Sequence, residues 1–151
     1  MAITFSKVAD FIEAAMEGVH NLSSNTLKLA LSNTAPGSES SNPLSTGNGV
    51  VANVTQIAYT NYTDDMGTDR VLENVTSDES GGTYTLDADD ITITASGGAI
   101  AQFRYVYLFN DTPTSPADPL ICMWDMGAAI DIADGNSITL QFNASGILTV
   151  A

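Results

Sequence analysis

The sequence predicts a mainly β fold: an antiparallel β-sandwich or barrel with one N-terminal amphipathic helix. Three observations carry this. Short apolar–polar alternations, about eight or nine of them, recur between Gly-, Pro-, Asn- and Asp-rich breaks. One alternation, residues 99–110, concentrates Phe103, Tyr105, Tyr107 and Phe109, and aromatic residues favour a pleated, packed surface. Only the start of the chain repeats its apolar residues at three- and four-residue steps. Residues 1–20 are therefore expected to form a helix or arm, and residues 21–151 a single β domain.

In chain order, Phe5, Val8, Phe11, Ile12, Ala15, Met16 and Val19 make one stripe of a helix over 6–20. Thr4 or Ser6 can cap its start, and His20 lies where a cation suits a helix C-terminus. The stripe can pack on the chain's own sheet or on a neighbouring subunit. Phe5, Val8, Phe11, Ile12 and Met16 are accordingly the candidate interface residues. Leu27, Leu29 and Leu31 share one face of a strand over 26–32. Residues 33–49 form a long surface loop, and 50–57 a strand or a short helical turn. An edge strand is expected over 70–76 and a Ser- and Gly-rich turn over 77–82. Strands follow over 83–87 and 91–95.

The aromatic stretch is the spine. Ala101, Phe103, Tyr105, Tyr107 and Phe109 fall on one face; Gln102, Arg104, Val106 and Leu108 fall on the other. That second face turns apolar at Val106, so the later half of the strand is covered on both sides. Three prolines break the chain over 111–119. Residues 120–126 then pair antiparallel with the spine, followed by strands over 138–142 and 147–150. The expected core contains Phe103, Tyr105, Tyr107, Leu108, Ile121 and Leu140.

Charge and composition narrow the function. Four basic against eighteen acidic residues give a net charge of −14. Such a field repels nucleic acid and anionic membrane surfaces, so neither is an expected partner. It also keeps a high-copy protein soluble. The lone Cys122 sits in an apolar run, and the lone His20 is distant in sequence, so no nucleophile–base pair is formed. One His and one Cys also make no metal-ligand set, and no cofactor is expected. The acids Asp64 and Asp65 do not follow the calcium-loop spacing, and Asp87, Asp89 and Asp90 suit a solvated turn. The chain is not expected to be an enzyme. No signal peptide or bilayer-spanning stretch is evident.

Several segments carry a family resemblance. Val19-His20-Asn21-Leu22 is followed by Thr26-Leu27-Lys28-Leu29-Ala30-Leu31-Ser32-Asn33-Thr34-Ala35-Pro36. Later come Ser80-Gly81-Gly82-Thr83-Tyr84, Ala95-Ser96-Gly97-Gly98, Phe103-Arg104-Tyr105 and Asn110-Asp111-Thr112-Pro113. Pro119-Leu120-Ile121, Trp124-Asp125 and Ala133-Asp134-Gly135 complete the series. In this order they resemble a family of small tailed-bacteriophage virion proteins. The likeness spans nearly the whole chain and departs from it over 50–74. It implies a virion structural protein, a capsid decoration or cement protein. Such a protein is made in the host cytoplasm and sits on the capsid surface. The major capsid protein and further copies of the chain, as a trimer, would be its partners. The resemblance carries no site residues. The alternative from a different class is a tail or fibre component that binds a host receptor or glycan.

Overall fold

The computed structural model describes residues 2–64 and 70–151. They form a mainly β protein of antiparallel sheets with one short helix. In chain order the strands are β1 (Thr4–Lys7), β2 (Leu27–Ser32), β3 (Tyr62–Asp64), β4 (Thr76–Ser80) and β5 (Thr83–Asp87). They continue with β6 (Ile91–Ala95), β7 (Ile100–Asn110), β8 (Leu120–Ile132), β9 (Ser137–Leu140) and β10 (Leu148–Val150). The helix α1 (Phe11–Met16) lies between β1 and β2. The main sheet has the order β1-β8-β7-β2, and two smaller sheets have the orders β10-β5-β4 and β3-β6-β9.

The aromatic spine is β7, at the centre of the main sheet between β8 and β2. Phe103, Tyr105 and Tyr107 on one face, and Val106 and Leu108 on the other, are all buried. Arg104 stays at the surface end of the polar face, where its guanidinium donates to both carboxylate oxygens of Asp125 at 2.7 and 2.9 Å. Ile121 and Leu140 join the same core, as expected. Between Tyr105↔Asp125 and Phe103↔Ile130 the register slips, so β8 bulges opposite Arg104. Gly127 supplies the bulge with a φ of +82°, a region that side-chain-bearing residues rarely adopt. Its N–H donates to Asp125 at 2.8 Å, so one carboxylate holds both the bulge and the arginine.

The N-terminal segment departs from the expected helix over 6–20. Thr4–Lys7 is instead a strand, paired antiparallel with residues 122–125 of β8. Ile3 and Phe5 satisfy strand alternation, while Phe5 also fits the helical spacing, and pairing with β8 decides between them. The helix is confined to Phe11–Met16. Asp10 does not cap it, because its carboxylate accepts the N–H groups of Gly47 and Gly49 at 2.9 and 3.0 Å. Gly18, at φ +78°, turns the chain out of the helix. His20 therefore lies beyond the helix end and packs inside rather than capping it. Residues 4–20 are no detached arm: β1 is an edge of the main sheet, and Val8 and Phe11 belong to the common core.

Two other expectations change. Of residues 70–76 only Thr76 lies in a strand, as the first residue of β4; Val71 makes a single bridge to Lys28, along the edge of β2. The turn expected over 77–82 is mostly β4, whose Asp78 and Glu79 are exposed and give no apolar signal. Only Gly81 and Gly82 turn, both with positive φ, as a tight hairpin requires. Residues 50–57, expected as a strand or a short helical turn, take the second form, with the 3-10 turn Val51–Asn53. The long loop before it is pinned at Gly49, whose carbonyl accepts the Leu120 N–H at 2.8 Å.

Candidate interaction surface

A row of aromatic rings starts the surface. Phe5 of β1 stands edge-on to Trp124 of β8, with ring centroids 6.0 Å apart. Trp124 in turn lies 5.7 Å from Phe142, just beyond β9. The Phe142 N–H donates to Asp90 at 2.9 Å, which ties that ring's backbone to the β5–β6 turn. Beside this row runs an open groove of about 740 Å³, walled by β1 and α1 on one side and β10 on the other.

Two further grooves continue it. One of about 340 Å³ shares Trp124 and Phe142 with the first and adds Ile3, Met126 and Leu140. The other, of about 530 Å³, shares Phe11, Ile12 and Val150 and adds Met16 and Tyr84. The shared walls make one continuous apolar surface. It carries Ile3, Phe5, Met16 and Val150, the most exposed large apolar side chains described, at 57, 45, 83 and 39% exposure. A clustered apolar patch marks an interaction site, whereas scattered apolar residues do not.

The electrostatics of this face differ from the rest of the chain. Among the described residues, no Asp or Glu lines any of the three grooves. On another side of α1, a groove is lined by Asp10, Glu13 and Glu17. The apolar face instead carries Lys7. Lys28 pairs with Asp111 at 2.8 Å and Arg104 with Asp125. Arg70 stacks 3.6 Å from the Tyr59 ring centroid and donates to the Leu29 carbonyl. Among the described residues Lys7 has no ion-pair partner.

The five expected interface residues divide by position. Phe5 and Met16 reach the surface, and Ile12 is half-buried in its wall. Phe11 forms the floor of two grooves while almost wholly buried. Val8 is fully enclosed in the core and presents nothing to a partner. Sequence reasoning missed Ile3, Trp124, Phe142 and Val150. The alternation Ile3-Phe5-Lys7 was the available signal for the first; the others come together only through pairing of distant strands.

The groups weighed for chemistry serve structure. Cys122 is buried inside β8, and burial pushes its thiol well above the usual range. His20 packs against Phe11, and its Nδ1 lies 3.2 Å from the Asn110 amide nitrogen. Burial lowers its pKa to about 4, so the ring is neutral at physiological pH. Asp89 accepts from the Asn74 amide at 2.6 Å and Asp90 from Phe142, so both brace loops. Asp65 and the side chain of Asp64 lie outside the described residues. No family model, curated protein or solved structure matches the chain.

Proposed function

We propose that the chain is a structural protein of a tailed-phage virion, a decoration protein that binds the outer capsid surface and stabilises it. The observation that carries this reading is the segregation of charge. In a chain of net charge −14, one continuous apolar face carries no Asp or Glu side chain among the described residues, which is the layout of a protein that assembles. The family resemblance supplies the setting. The acidic remainder keeps copies soluble before assembly and holds the protein away from nucleic acid. Binding to the closed shell and not to free subunits stabilises the shell by mass action, about 2.7 kcal/mol per site at a hundredfold excess over Kd. No bond is made or broken in this role, and no metal or cofactor takes part.

Quantitative mass spectrometry of purified particles tests it. Hundreds of copies per particle support decoration of the capsid. A handful per particle would replace it with the tail or fibre reading, and absence from the particle would overturn both.

A further inference from the structure

We propose that this apolar face, which carries no Asp or Glu side chain among the described residues, is the interface between copies of this chain. The argument rests on what the face lacks. A basic partner is held by carboxylates and gains nothing from their removal. A like-charged partner requires their removal, because opposed like charges at an interface are strongly unfavourable. The acidic protein certain to be present is the chain itself. Acids do line the groove on another side of α1, so the helix presents them on one side and not on this one. Lys7, the cation on the face, adds attraction toward an approaching copy of net charge −14.

Backbone geometry agrees. β1 and β10 are both edge strands, and both border the largest groove. An exposed edge offers unpaired N–H and C=O groups to another strand. Two other edges are defended: β4 carries the exposed acids Asp78 and Glu79, and residues 70–72 run along β2. The β1 and β10 edges carry no acid. Apolar side chains and open strand edges therefore converge where charge repulsion is least. The inference deepens the assembly reading by naming the occupant of the face.

Light scattering and sedimentation of the full chain, over a range of concentrations, provide the test. The wild type is expected to form a species whose mass is a multiple of 15.8 kDa. Phe5→Glu with Met16→Glu places carboxylates at two exposed positions. It should weaken association about 100-fold or more, since charge buried unpaired at an interface is costly. Lys7→Glu alters one exposed, unpaired side chain and gives a second variant if the first fails to fold. It should weaken association most at low salt. A wild type that stays monomeric, or folded variants that associate as the wild type does, would overturn the inference. The experiment uses the isolated protein, so its failure is distinct from a particle copy number of zero.

Discussion

Replacing Phe103 with alanine probes the packing on which the whole layout depends. The ring is fully buried on β7, with Ile130 opposite across the β8 bulge. Emptying such a site removes the transfer energy of the ring and leaves a cavity, together about 3–5 kcal/mol. A domain of this kind is stable by about 5–15 kcal/mol in all, so the loss is a large share of it. At this chain length the same loss lowers Tm by about 6–20 °C. Urea unfolding reads it directly: the midpoint should fall while the slope m stays constant, because the surface exposed on unfolding is nearly unchanged. A Phe103→Ala protein with an unaltered midpoint would show that β7 does not run through the core.

The remaining predictions concern the N-terminal segment and its surroundings. Deleting residues 1–20 removes the edge strand β1 together with Val8 and Phe11, 0 and 2% exposed. Each buried side chain contributes about 1.5–3 kcal/mol, so the truncated chain should lose cooperative unfolding by circular dichroism; a stable truncated fold would refute the placement of β1. Gly49→Ala would set a Cβ 2.8 Å from Val8 Cγ1 and 2.9 Å from the Asp10 carboxylate, costing about 1–3 kcal/mol in a thermal melt. Gly37→Ala, with open space around it, should leave Tm unchanged, and equal effects at the two sites would mean the loop is not seated as described. His20 has a folded pKa of about 4, depressed by burial, against an unfolded value of 6.5. The unfolded chain binds its proton first as pH falls, so stability is full above about pH 6.5 and drops by about 3 kcal/mol as pH falls to 4. Asp125, held below the usual carboxylate range by Arg104, contributes only at lower pH. The slope of stability between pH 4.5 and 6.5 should flatten in His20→Gln; an identical slope would place the titration elsewhere.

Local pattern made the central strands legible. β5 and β6 occur where alternation placed them, and β7 is buried on both faces from Tyr105 onward, as its sequence implies. β8 extends beyond residue 126 because the Gly127 bulge lets the strand bend and continue, and a lone glycine between Met126 and Ala128 gives no such cue. β4 was hidden by its own exposure: an edge strand with Asp78 and Glu79 outward has no apolar face to read. The N-terminus satisfied two periods at once, and only the partner strand β8 selects one. The interaction surface was legible in part for a different reason. Phe5 and Met16 could be picked out as apolar and terminal. The absence of Asp and Glu side chains from the described face, in contrast, is a property of how residues 3–16, 124–126 and 139–151 meet in space. The sequence shows only the total charge.

Amide hydrogen exchange on the assembled protein, compared with a dilute monomeric sample, tests the central claim that this face is where the chain assembles. Exchange should slow in assembly at β1 and β10, whose outer edges border the largest groove, and stay unchanged along the acidic edge strand β4. Equal exchange at β1 and β10 in both samples, with protection appearing at β4 or elsewhere, would contradict it.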